Sequence, residues 1–156
     1  MSSMPGATGE AQIERFLAKF TPEIAADMAA CRQKLRGRFR RGYELIYDNY
    51  NALVFGYGPT PSAAEAVLSV AAYPRWVTLF FLQGATLADP EKRLTGSGRL
   101  VRAIRLTGPR DLDDPAVRAL IDAARGPAAQ WAQAGKLETL IKAVVAKQRP
   151  RRPRGR

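Results

Sequence analysis

Between Tyr43 and Leu106 the apolar residues of this chain recur at every second position, and that run decides which folds are open to it. Strand side chains alternate between two faces, so a period of two marks strands. Tyr43, Leu45 and Tyr47 alternate with Glu44, Ile46 and Asp48. Asp48-Asn49-Tyr50-Asn51 is rich in turn formers, and Leu53, Phe55 and Tyr57 alternate again, which predicts a hairpin. Gly58-Pro59-Thr60-Pro61 predicts a loop. Ala66 to Tyr73 reads as a third strand, with room for a helical turn at its Ala-rich start. Pro74 breaks it. Arg75 to Gln83 is the fourth and strongest strand; it is apolar on both faces, which predicts a central position. Asp89-Pro90-Glu91 predicts a helical turn, and after Gly96-Ser97-Gly98 a fifth strand runs from Leu100 to Leu106.

Helical periods flank this run. Ile13, Phe16, Leu17 and Phe20 recur at helical spacing, and Thr21-Pro22 supplies an N-cap and a first-turn proline. Ile24, Met28, Cys31, Leu35 and Phe39 continue a stripe up to the helix stop at Gly42. Asp113 or Asp114 caps a helix starting at Pro115, with Val117, Leu120, Ile121 and Ala124 facing inward. Gly126-Pro127 interrupts it, and it is expected to resume to about Ala134. Leu137, Leu140, Ile141, Val144 and Val145 form an amphipathic stripe that predicts a C-terminal helix over residues 135–147. That helix is to dock on its own domain or on a second copy. Residues 1–10 and the basic tail 148–156 are expected to be disordered. The body, residues 11–134, is therefore expected to be one α+β domain. Its sheet would be mainly antiparallel, of about five strands, with N- and C-terminal helices packed on it.

Composition excludes several chemistries. The chain of 156 residues has no His, so Ser-His-Asp hydrolysis and His-ligated metal chemistry are out. Its single Cys31 cannot form an intramolecular disulfide, which suits a reducing cytoplasm, and no histidine is present to activate it. No secretory leader or membrane span is visible, so a cytoplasmic location is expected. No cofactor or metal site, and no nucleophile–base pair, emerges. The net charge of +11 is uneven: KQRPRRPRGR, residues 147–156, carries six basic residues and no acidic one. A second basic cluster runs from Arg32 to Arg41 and reads as the solvent face of its helix.

The segment LFFLQGATLADPEKRLTGSGRLVRAIRL resembles the YdhG-like family of small bacterial domains. The shared pattern is a strand, a Gly, a Leu-x-Asp-Pro turn, a Leu-x-Gly-x-Gly-[Lys/Arg] segment, and a strand beginning near an Arg. Upstream, Glu44 in GYELIYDNYNALVFGY matches the Glu that follows the N-terminal helix in that family. The resemblance spans about residues 20 to 124 and implies an α/β sandwich of matching element order. Some relatives are described as frataxin-like iron chaperones, which implies hard-cation binding on an acidic surface. Here Arg and Lys surround Glu23 and Asp27, and Trp76 and Ala103 stand where many relatives have His. The resemblance thus speaks to the fold and leaves activity open.

Three local features carry candidate function. Gly96, Ser97 and Gly98 can expose backbone N–H groups as an anion nest, with Arg99 and Arg102 as forks for carboxylate or phosphate. Its plainer role is a tight loop that sets strand register. Glu44, with Tyr47, Tyr57 and Trp76, can line one side of the sheet as a ligand pocket; alternatively, Glu44 pairs with a nearby Arg. The tail arginines Arg149, Arg151, Arg152, Arg154 and Arg156 suit a polyanion or serve only as a solubilising end. Two classes of function follow. One is a non-enzymatic module, monomeric or homodimeric, that binds a small anion or a protein partner. The other is a nucleic-acid-associated protein that uses its Arg-rich tail.

Overall fold

A computed structural model describes residues 7–154. Helix α1 spans Ala7–Leu17 and α2 spans Pro22–Arg38. The Thr21 hydroxyl accepts the Ile24 N–H at 3.3 Å, so the cap and the following proline start α2 as their chemistry dictates. Strands β1 (Tyr43–Asp48), β2 (Leu53–Gly58), β3 (Leu68–Ala72), β4 (Val77–Phe81) and β5 (Arg102–Leu106) follow. Helix α3, Pro115–Arg125, starts where the Asp114 carboxylate accepts the Ala116 N–H at 2.9 Å. Strand β6, Glu138–Val144, is the last element. Single 3₁₀ turns occupy Ala63–Glu65, Gly84–Thr86, Pro109–Asp113 and Ala128–Trp131.

The sheet has six strands in the order β5-β4-β3-β2-β1-β6. Neighbours from β1 to β5 pair antiparallel, and β6 pairs parallel to β1. The α+β class and the mainly antiparallel sheet agree with the sequence, but the sheet is mixed and has six strands, not five. β4 is an interior strand, second from the β5 edge. Alternation puts Ile46, Phe55, Val70, Leu79 and Ile104 in one core cluster with Ile13, Phe16 and Phe20 of the N-terminal segment, Met28, Cys31 and Leu35 of α2, and Val117, Leu120 and Ile121 of α3. Burying each large apolar side chain contributes roughly 1.5–3 kcal/mol.

Several expectations need correction. Residues 135–147 do not form a helix, because β1 offers an open edge and the β-branched Thr139, Ile141 and Val144 can take it. Tyr43 to Asp48 pair with Glu138 to Val144, with one irregularity beside Ile46. Asp89-Pro90-Glu91 opens a single hydrogen-bonded turn, without helical continuation: the Asp89 carboxylate accepts the Arg93 and Leu94 N–H groups, each at 2.9 Å, and spends itself on that loop. After Gly126 the chain makes only the short 3₁₀ turn. Of the N-terminal ten residues, Ala7 to Glu10 are helical, and the first six lie outside the described residues. The tail is ordered through Arg154, for reasons given below; Gly155 and Arg156 lie outside the described residues.

One backbone position is demanding. Gly42 has φ +96°, and a Cβ there would run into the Gly58 carbonyl oxygen and lie 2.7 Å from the Trp131 ring. It is the sharp corner by which α2 delivers the chain into β1.

Candidate functional site

Glu44 is fully buried, and its pocket is closed by its own neighbours. Arg32 grips the carboxylate through Nε at 3.0 Å and Nη2 at 2.9 Å. Arg36 donates at 2.6 Å, the Tyr57 hydroxyl at 2.8 Å and the Thr139 hydroxyl at 2.8 Å. Arg32 also forks onto Glu10 at 2.7 and 2.9 Å. Two carboxylates and two guanidiniums thus neutralise each other and tie α1, α2, β1, β2 and β6 together. Burial alone would push the Glu44 carboxyl up, but the hydrogen bonds and charge of Arg32, with Tyr57 and Arg36, hold it below its ordinary value. Burial and the Glu44 charge push the Tyr57 phenol well up. A carboxylate with five donors has no lone pair left for a substrate proton or a cation. Arg32 itself, 6% exposed, is a core residue and not part of a solvent face. Of the alternatives for Glu44, pairing with arginine is the one found.

The other candidates do not join it. Tyr47 alternates to the opposite face of β1 from Glu44, and its hydroxyl is buried without a hydrogen-bond partner. Arg102 sits on β5, four strands from β1, about 19 Å across the sheet. Its guanidinium donates to the Gly98 and Val101 carbonyls at 2.6 and 2.8 Å. The Gly96-Ser97-Gly98 loop is therefore engaged by the arginine meant to complete it, and Arg99 stays exposed. Glu44, Arg99 and Arg102 form no common pocket.

A second buried carboxylate explains the tail. Asp48 accepts Lys19 Nζ at 2.7 Å and Arg151 Nη2 at 2.9 Å. Arg151, 5% exposed, also donates to the Asn49 carbonyl at 2.6 Å and lies over the Phe20 ring. The Arg149 N–H donates to the Tyr50 carbonyl, and the Gln148 amide to the Asp48 carbonyl. Arg152 donates to the Lys19 and Ala18 carbonyls past the end of α1. The tail cannot fold alone, but it borrows a carboxylate and a row of backbone acceptors from the β1–β2 turn. Burial would raise the Asp48 carboxyl; Lys19, Gln148 and Arg151 hold it low.

Docking the tail creates a groove of about 540 Å³ at one end of the sheet. Arg149, Arg152 and Arg154 of the tail face Arg75, Tyr73 and Trp76 of the β3–β4 turn, and no lining residue is acidic. The Tyr73 and Trp76 rings are 6.3 Å apart at 40°. Arg105 of β5 lies 3.7 Å above the indole. Composition alone hid Tyr73, Arg75 and Arg105; the signal for the first two was the turn Tyr73-Pro74-Arg75-Trp76, which interleaves aromatic and basic residues.

The competing surfaces are weaker. A cavity of about 600 Å³ beside α3 is lined by Thr60, Gln83 and Gln130, and its one charged lining residue, Glu65, accepts the Thr60 hydroxyl. Around Arg38 to Arg41, Arg38 pairs with Asp122, Arg41 donates to the Ala134 carbonyl, and Arg125 stacks on Phe39. Among the described residues, no group of three or more His, Cys, Asp or Glu is placed to hold a metal ion, and the two buried carboxylates described above are already paired with cations. That donor set does not suit a hard cation. No described helix is long and apolar enough to cross a membrane. Comparison with family models, curated proteins and solved structures finds no match to this chain.

Proposed function

We propose that this protein is a non-enzymatic binding module for a polyanion, and that its occupant is a nucleic-acid backbone. The observation that carries this reading is the groove itself: four arginines and two aromatic rings converge on it without a carboxylate. Arginine matches phosphate with a planar fork, and charge-complementary clefts gather polyanions from solution. Among the described tail arginines, Arg151 spends its charge on Asp48, and Arg152 shares its guanidinium with the Lys19 and Ala18 carbonyls but meets no carboxylate. The docked tail therefore brings fewer phosphate contacts than its composition suggests, but holds them in place.

Fluorescence anisotropy with a labelled oligonucleotide over a series of salt concentrations tests this. Four phosphate contacts to a single strand give a log–log salt slope of about −3. Replacing Arg149, Arg152 and Arg154 together by Gln should remove most of that slope. Undetectable binding at low salt by the folded wild type, or an unchanged slope in the triple variant, contradicts the proposal.

A further inference from the structure

We infer that the groove takes a single strand, whose bases stack on Trp76 and Tyr73; this rests on the nucleic-acid reading above. Three observations point the same way. First, the two rings stand on a closed turn: the Tyr73 N–H donates to the Trp76 carbonyl at 2.9 Å, and Pro74 restricts the backbone between them. Rings on a fixed turn lose little freedom when a ligand arrives. Second, the rings share the face of the sheet that carries Thr78 and Arg105, opposite the face that bears Val77, Leu79 and Ile104 of the core. Arg105 backs the indole at 3.7 Å, adding a cation to the platform. Third, the arginines Arg75, Arg149, Arg152 and Arg154 line the same groove as the rings, so phosphates and bases of one strand meet complementary groups at once.

A duplex satisfies only the arginines, because its base faces are stacked on one another. A single strand satisfies both sets, since every base has a π-face and stacking tolerates any sequence. The partner is therefore single-stranded RNA or DNA, bound with little base preference. Reading base edges would need donors and acceptors in fixed register, and beyond the arginines and the polar edges of the two rings the lining offers only the Asn51 amide.

The test uses the full chain, with oligo-dT, oligo-U and a mixed-sequence duplex of the same length as probes at one moderate salt concentration. The chain has two tryptophans, and Trp131 serves as an internal control because it is 6% exposed with its indole N–H on the Arg125 carbonyl. Both single strands should quench tryptophan emission, and the duplex should bind more weakly without quenching. Trp76→Leu should lose about tenfold or more in affinity for oligo-dT, the range that base–aromatic stacking carries, with its salt slope unchanged. Trp76→Phe should recover most of the loss. Tyr73→Leu provides a second variant should Trp76→Leu fail to fold, and circular dichroism checks each. Equal binding of duplex and single strand, or wild-type affinity in folded Trp76→Leu and Tyr73→Leu, overturns this inference. Salt-dependent binding without quenching would sink the stacking mode and leave the polyanion reading standing; no binding of any probe would sink both. Quenching by oligo-U alone would narrow the partner to RNA, and by oligo-dT alone to DNA.

Discussion

Glu44 shows why a conspicuous carboxylate need not be a reactive one. It gathers five donors in the core, so its removal leaves Arg32 and Arg36 without their shared counter-charge. Breaking a buried pair from one side costs about 3–5 kcal/mol, and Glu44→Gln should show a loss of that order in urea unfolding. A change below about 0.5 kcal/mol would place Glu44 outside the structural core and contradict the account. The same site sets a pH dependence. The Glu44 carboxyl is depressed from its ordinary 4.5 in the folded chain, so folding favours its charged form. Its contribution is complete above that unfolded value and is lost as the pH falls through the lower folded one. Wild-type stability should therefore fall as the pH drops below about 4.5, and the Glu44→Gln profile should be flatter there. Cys31 offers a check on burial: its thiol is fully buried and pushed up to about 12 by desolvation. A thiol reagent at neutral pH should label it only after unfolding. Sequence pattern marks Cys31 as core and leaves Glu44 either a pocket residue or the partner of a nearby Arg. It assigned Arg32 to a solvated face, because periodicity ranks arginine as polar and cannot see a carboxylate on the facing strand.

Among the elements, those with a clear local period were legible and those decided by distant partners were not. The turn formers at Asp48 to Asn51 and the Thr21, Pro22 and Asp114 signals each act within a few residues, and each appears where its chemistry puts it. Leu137, Leu140, Ile141 and Val144 satisfy helical spacing where β6 forms; the open edge of β1 that claims Leu140, Ile141 and Val144 lies far away in sequence. The docking of the tail is hidden from local pattern for the same reason, since Arg151 and Asp48 are separated by 103 residues. Ending the chain after Lys147 removes Arg151 and Gln148 from Asp48 and should cost about 1–3 kcal/mol, the penalty of a buried polar group left short of partners. An unchanged denaturation midpoint would mean that the tail is a solvated appendage. Gly42→Ala should also destabilise the fold, by about 1–3 kcal/mol for the positive φ alone and more for the contact with the Gly58 carbonyl. A wild-type midpoint in that variant would contradict the corner geometry described above.

On the scale of the whole molecule, the excess of positive charge is divided by use. The arginines near Glu44 and Asp48 are held inward as structural counter-ions, whereas Arg75, Arg149, Arg152 and Arg154 line the groove at the end of the sheet and others, Arg99 and Arg118 among them, are exposed elsewhere. Net charge alone could not reveal this division, because an arginine on a buried carboxylate and one on an open groove count the same in a sequence. The central claim is that the docked tail and the aromatic turn form one nucleic-acid interface. The most direct measurement is a series of ¹H–¹⁵N correlation spectra of the full chain titrated with a single-stranded oligonucleotide. The account predicts that the Trp76 indole signal moves together with backbone amides of residues 73–76 and 149–154, while the Trp131 indole signal stays still. Shifts confined to residues 38–41 and the Trp131 indole, or no shifts at low salt, would contradict it.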